Sequence, residues 1–205
     1  LLVNSCTAAL EISAILINIK PKDEIIMPSY TFVSTANAFV LRGGVPVFVD
    51  VEENTFNIDP ESIRAKISKN TKAIMPVHLT GRVCDMPSIM EIAEAHELLV
   101  VEDAAQAVGA TFNSRMAGTF GDAGAFSAHP LKNLNAIGDA GYLFVRDSEN
   151  FERASRLRNH GLADRDTVLE WGNVSRMDAI QSEVLSYRLK NLDEVIRRRR
   201  SNACF

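Results

Sequence analysis

Short runs of β-branched and aliphatic residues alternate with stretches of helical period along most of this 205-residue chain, and no other feature restricts its fold as strongly. Leu1–Val3 reads as a strand. Thr7–Ile19 follows with Ile12, Ile15, Leu16 and Ile19 on one helical face until Pro21 ends it. Glu24–Met27 and Val45–Val49 read as strands around a helix over Thr31–Leu41 that stops at Gly43-Gly44. A helix over Pro60–Ile67 opens with proline at a first-turn position. A strand over Lys72–Val77 precedes a helix over Pro87–His96, and a strand over Leu98–Val101 closes on Glu102-Asp103. Gly124–Ser127 and Gly141–Val145 are further strands; Phe151–Arg158 and Ala179–Arg200 are helices, the second a long one. This alternation predicts an α/β fold with a largely parallel sheet covered on both faces. In such sheets ligands sit at the carboxyl ends of the strands.

The length suits one large domain, and 46% hydrophobic with 23% charged residues is ordinary for a globular protein. A net charge of −4 gives no pull toward nucleic acid or an anionic membrane. The basic run Arg197–Arg200 lies beside Leu189, Leu192 and Ile196, the expected buried stripe of a helix, so it reads as that helix's solvated face. Three cysteines, Cys6, Cys84 and Cys204, stand far apart without C-x-x-C spacing. That argues against a zinc site or a disulfide framework and fits a reducing, cytoplasmic setting. No apolar run reaches the length of a membrane span and no signal peptide opens the chain. The absence of an initiator Met, with an uncapped helical pattern at Arg200–Phe205, leads to the expectation of a fragment.

Three features at strand ends could carry chemistry. Asn4-Ser5-Cys6-Thr7-Ala8-Ala9-Leu10 is a polar turn from strand into helix. Free backbone N–H groups and the positive end of the helix dipole suit an anion there, although Ser5 or Thr7 could simply cap the helix. Glu102-Asp103 ends an apolar strand, either as punctuation or as a carboxylate able to hold a proton on the ring nitrogen of a bound heterocycle. In Phe126-Ser127-Ala128-His129-Pro130-Leu131-Lys132-Asn133 a lysine follows a strand. A lone lysine is usually a solvated charge, but one partly desolvated near other cations becomes a nucleophile toward carbonyls. An anion cradle, an acid and a downstream lysine together are what a pyridoxal-phosphate (PLP) enzyme requires.

The order of several segments resembles one family. Ser5-Cys6-Thr7-Ala8-Ala9-Leu10, Pro28-Ser29-Tyr30-Thr31-Phe32-Val33, Gly43–Asp50, Glu102-Asp103-Ala104-Ala105-Gln106 and His129-Pro130-Leu131-Lys132-Asn133-Leu134 look like the DegT/DnrJ/EryC1/StrS sugar aminotransferases. Arg158-Asn159-His160-Gly161 and Arg176-Met177-Asp178 fit as well, so the likeness runs through essentially the whole chain. The resemblance implies a fold-type I PLP-transferase large domain over 1–178, N-terminally truncated, with 179–205 a long helix leading toward a C-terminal small domain. It implies a homodimer with active sites at the subunit interface, a nucleotide-linked keto-sugar acceptor of the kind used in polysaccharide biosynthesis, and glutamate or glutamine as amino donor.

Carried over position by position, the resemblance makes Lys132 the Schiff-base lysine and Asp103 the partner of the pyridinium nitrogen. Gln106 would lie near the ring hydroxyl, Ser127 and the turn at Cys6 and Thr7 on the phosphate, and Phe32 on the ring face. Asn173 would stand for an asparagine that contacts the phosphate across the dimer. The chain departs from the family at Asn4 and Cys6, both usually Gly, at Val108 (often His), Ala128 (often Phe) and Ala140 (often Gly). Val174 also departs, because it occupies the usual asparagine position with Asn173 one residue off. A strained backbone is expected at Cys6 if that position needs φ > 0. Two rivals are a protein that kept the fold and lost catalysis to act in regulation or binding, and a sugar dehydratase. The dehydratase branch carries His in place of the lysine, so Lys132 argues against it. A dinucleotide-binding Rossmann protein is disfavoured because no G-x-G-x-x-G follows the first strand.

Overall fold

In the computed structural model, which describes residues 1–204, the elements run in the order β1 (Leu2–Val3), α1 (Cys6–Leu16), β2 (Glu24–Pro28), α2 (Val33–Val40), β3 (Val45–Val49), α3 (Pro60–Lys66) and β4 (Thr71–Ile74). They continue with α4 (Met86–Ala95), β5 (Leu99–Asp103), β6 (Thr111–Phe112), β7 (Arg115–Met116), β8 (Ala123–Ser127) and β9 (Gly141–Val145). The last elements are α5 (Ser148–Leu157), α6 (Ala179–Leu189) and α7 (Leu192–Asn202). A seven-stranded sheet in the order β1-β9-β8-β5-β4-β2-β3 forms the spine. The pairs from β3 to β8 are parallel, and β9 runs antiparallel to both of its neighbours. The expected mostly parallel sheet is therefore present.

Side-chain alternation along the strands divides the core into two layers. Ile25, Met27, Ala73, Met75 and Val101 face one way, against Ala9, Leu10 and Ile12 of α1, Phe39 of α2 and Leu157 of α5. Ile26, Ile74 and Val100 face the other way, against Ile63 of α3 and Met86, Ile89 and Ile92 of α4. Strands buried on both faces read in sequence as continuous apolar runs, as Ile25-Ile26-Met27 and Leu99-Val100-Val101 do. Caps set the helix starts. Ser5 Oγ accepts from the Ala8 amide, Asp59 from Glu61 and Ser62, Asp85 from Ser88, and Asp147 from Asn150.

Two expectations need revision. The single helix expected over Ala179–Arg200 is two helices, broken at Lys190 and Asn191, where the Asn191 amide turns back to the Arg188 carbonyl at 3.0 Å. Asn191 stands at the N-cap of α7, but its side chain makes no capping hydrogen bond there. The break also dissolves the expected stripe, since Leu189 is 57% exposed while Leu192 packs on the cluster around Leu134 and Leu185. The β6–β7 hairpin escaped the sequence because its two-residue strands are too short to show a period. No described helix is long and apolar enough to cross a membrane.

Candidate active site

The carboxyl ends of β1, β2, β5 and β8, with the start of the antiparallel β9, converge on one edge of the sheet, and a cavity of about 640 Å³ opens there. Ser5, Cys6, Thr7, Phe32, Asp103, Gln106, Ser127 and Lys132 all line it. These residues are drawn from across more than 120 positions of sequence, and no local pattern forces them together. Asn173 does not line this cavity. It is exposed, and its backbone bonds to His160 and Leu157.

One end of the cavity is built to receive an anion. Ser5 caps α1 through the Ala8 amide, so the capping reading of that serine holds. Among the described residues, the Cys6 and Thr7 amides ahead of it have no acceptor. Hydroxyls surround them, with Thr7 Oγ1 donating to Ser34 Oγ at 2.9 Å and the Ser127 hydroxyl also facing the cavity. The strain expected at Cys6 is absent, because neither Asn4 nor Cys6 has a positive φ. The tight spot lies at Gly141 instead. A Cβ there would stand 2.4 Å from the Ser5 carbonyl carbon and 2.5 Å from the Cys6 amide nitrogen, so only glycine lets β9 pass beneath this turn.

A fixed carboxylate lies in the same cavity. Asp103, 5% exposed, ends β5; its Oδ2 accepts from Thr35 Oγ1 at 2.7 Å and its Oδ1 from the Ala105 amide at 3.0 Å. Burial pushes its carboxyl above the ordinary carboxylate range, while Thr35, Ala105, His78 and Lys132 act in the opposite direction. Enclosure likewise raises the Cys6 thiol, with the Asp103 charge adding to the effect and Lys132 opposing it. A cationic N–H placed beside Asp103 would favour its ionised form.

The neighbouring Glu102 points to the opposite face, as strand alternation requires. It is fully buried, accepting from the Gly118 amide at 2.7 Å and the Gly121 amide at 2.6 Å, and its Oε2 lies 2.8 Å from His78 Nε2. His78 Nδ1 accepts from the Cys84 amide, which assigns the proton to Nε2 and makes His78 the donor to Glu102. Of the two carboxylates, one belongs to the cavity and the other to the scaffold.

Lys132 sits half-buried in the stretch between β8 and β9, its amide bonded to the His129 carbonyl at 2.8 Å. Gln106 Oε1 accepts from the Thr80 amide at 2.6 Å, and Phe32, 74% exposed, stands at the N-cap of α2 over the mouth. Sequence reading missed Thr35 and Ser34. Ser34 lines the cavity, whereas Thr35 is fully buried and acts on it only through Asp103; neither role is visible without knowing which face of α2 meets β5.

The donor set fits PLP. A dianionic phosphate is matched by free helix amides and hydroxyls, a ring nitrogen by a buried carboxylate, and an aldehyde by a lysine amine. The volume lies in the range of cofactor pockets.

Residues 1–205 match the model of the DegT/DnrJ/EryC1/StrS aminotransferase family. A dTDP-3-amino-3,6-dideoxy-alpha-D-galactopyranose transaminase of Aneurinibacillus thermoaerophilus is 45% identical over 183 residues, 89% of this chain and 50% of its own length. A pleiotropic regulatory protein of Geobacillus stearothermophilus is 42% identical over 89% of this chain and 49% of its own. The crystal structure of ntda from Bacillus subtilis with bound cofactor PMP superposes with a TM-score of 0.87 at 36% identity, covering 93% of this chain and 44% of that one. The chain thus spans about half the length of the curated relatives it matches.

Proposed function

The chain belongs to the DegT/DnrJ/EryC1/StrS aminotransferase family, whose cofactor is PLP, and on that footing we propose that the protein transfers an amino group from glutamate or glutamine to a nucleotide-linked keto-sugar. What carries the reading is that Lys132, Asp103, Ser127 and the free N-terminus of α1 line one cavity.

In this reading the Cys6 and Thr7 amides and the Ser127 hydroxyl bind the cofactor phosphate, Phe32 covers one face of the ring, and Gln106 stands by the ring hydroxyl. When bound, PLP supplies an aldehyde that takes up the donor's amine and a protonated ring that draws electrons from the reacting carbon. Asp103 keeps the proton on the ring nitrogen by placing a carboxylate beside it. Lys132 would hold the cofactor through its amine, and the same amine is placed to serve as general base for the proton at the reacting carbon. Asn173, outside the cavity of its own chain, serves the site of a second copy in a homodimer.

The name of the Geobacillus relative raises a regulatory role without catalysis for this chain too. Against it stands the retention of both Lys132 and Asp103 in the cavity. Borohydride reduction of the PLP-loaded protein followed by peptide mapping tests the reading. Cofactor fixed on Lys132 in the reduced sample, and loss of its absorbance band on adding glutamate or glutamine to an unreduced sample, are the expected results. A label on any other residue, or no spectral response to either amino donor, overturns it.

A further inference from the structure

The stretch that carries Lys132, residues 129–140, contains no helix or strand of its own, so hydrogen bonds must define its path. Some are local: Asn135 Nδ2 donates to the Pro130 carbonyl at 2.6 Å, and the Ala136 amide to the Ala128 carbonyl at 2.8 Å. Next to the lysine, Asn133 Nδ2 donates to the Val108 carbonyl at 2.7 Å, and a second external grip comes from α6, about fifty residues later in sequence. Arg188 Nη1 donates to the Asn135 carbonyl at 2.7 Å, to Asn135 Oδ1 at 2.5 Å and to the Ala136 carbonyl at 3.3 Å. Gln181 Oε1 accepts from the Ile137 amide at 3.0 Å. Between them Leu185, 8% exposed, packs in one cluster with Leu134 and Ala136. Positions 181, 185 and 188 follow the i, i+4, i+7 spacing of a single helix face. The approach is close, since a Cβ on Gly138 would stand 2.8 Å from Gln181 Nε2.

We infer that Arg188 and Gln181 are positioning residues for Lys132, with this face of α6 serving as the template that holds the lysine-bearing loop against the cavity. Neither side chain lines the cavity, so both act through the loop. A half-buried lysine on a flexible stem is placed only as well as its Cα is placed. All three contacts come from the one nitrogen Nη1, so a single cationic group on α6 ties together two consecutive residues of the loop. Arg188 has no carboxylate partner among the described residues, and the hydrogen bonds its side chain makes there, all from Nη1, go to the loop. The inference rests on the reading of Lys132 as the cofactor lysine.

The test compares wild-type holoenzyme with Arg188→Ala, Arg188→Lys and Gln181→Ala. It measures the pH midpoint of the cofactor–lysine absorbance band, amide exchange at Ile137, and kcat and KM for the amino donor. In Arg188→Ala the midpoint is expected to shift and Ile137 exchange to quicken. kcat should fall at least about tenfold with KM less affected, the signature of a displaced reacting group. Arg188→Lys should recover part of each effect. A folded Arg188→Ala with unmoved midpoint and kcat overturns the inference. If that variant does not fold, Gln181→Ala and Arg188→Lys decide it by the same readouts, and wild-type values in both overturn it. Borohydride mapping of the wild type separates the two failures: cofactor fixed elsewhere than Lys132 sinks both readings, whereas cofactor on Lys132 with insensitive variants sinks only the role of α6.

Discussion

Thr35 Oγ1 donates a 2.7 Å hydrogen bond to Asp103 Oδ2, joining a helix and a strand 68 residues apart in sequence behind the wall of the cavity. The bond orients the carboxylate and favours its charged form against the burial that opposes it. Thr35→Val keeps the shape and removes the donor. It should cost about 1.5–3 kcal/mol of stability, the range for a buried hydrogen bond to a charged group, and should lower kcat. Thr35→Ser should restore both. Urea unfolding and donor kinetics check this; a valine variant with wild-type kcat would show the bond to be structural only.

The raised carboxyl of Asp103 makes a prediction about cofactor-free protein. Its folded pKa lies above its unfolded value, so between the two the folded state binds more protons, and stability falls as pH rises through that window. Above it the buried charge is a standing cost. Asp103→Asn should therefore raise the melting temperature of the cofactor-free protein at pH 7, with the advantage shrinking as the pH is lowered. The same variant should retain PLP but lose most transamination, because a neutral amide does not hold the ring proton. Equal melting temperatures across the pH range would count against a buried, ionised Asp103.

Lys132→Ala should separate function from folding. The Lys132 amine has no hydrogen-bond or ion-pair partner among the described residues, so its loss should change stability by no more than about 0.5 kcal/mol. The covalent hold on the cofactor should vanish completely. Circular dichroism melting alongside the absorbance spectrum gives both answers, and a large drop in melting temperature would reveal a structural role.

Gly141→Ala attacks the phosphate end. Its Cβ would fall 2.4 and 2.5 Å from backbone atoms of Ser5 and Cys6, so the turn must move. Overpacking of this kind costs about 1–3 kcal/mol. The expected readout is weaker binding of pyridoxal 5′-phosphate with a smaller effect on pyridoxal, which lacks the phosphate. Equal weakening of the two by calorimetry would place the damage elsewhere.

Glu102 gathers three donors behind the site, from His78, Gly118 and Gly121. Glu102→Ala leaves all of them buried and unmatched. At about 1–3 kcal/mol for each group, the variant should lose at least about 3 kcal/mol or fail to fold. Glu102→Gln, which keeps an acceptor oxygen, should lose less. Denaturant melts that ranked the two the other way would contradict this network.

Much of the fold was legible in the sequence. The apolar runs at Glu24–Met27, Val45–Val49 and Leu98–Val101 announce strands because a parallel sheet covered on both faces reads as continuous apolar runs, and the stripe of Ile12, Ile15, Leu16 and Ile19 announces a helix because backbone geometry imposes a period of 3.6. Seven of the eight site residues named from segment order, among them Lys132 and Asp103, line one cavity, and the eighth, Asn173, does not. Local pattern carries no information about which faces meet, and the rest was decided there. Glu102 and Asp103 are adjacent carboxylates, yet only packing on β5 sends one to the cavity and the other beneath it to His78. Thr35 and Arg188 are unremarkable residues in sequence. They acquire their roles because α2 brings a hydroxyl to Asp103 and α6 brings a guanidinium to the Lys132 loop, contacts that span 68 and 53 positions. The long helix that hydrophobic period suggested over Ala179–Arg200 breaks at Lys190 and Asn191, and Leu192 of the second half packs against the cluster around Leu134. Secondary structure follows from short-range sterics and periodicity that the chain encodes locally. A site made of strand ends exists only once the strands lie side by side, so its hydrogen-bond partners belong to the tertiary structure.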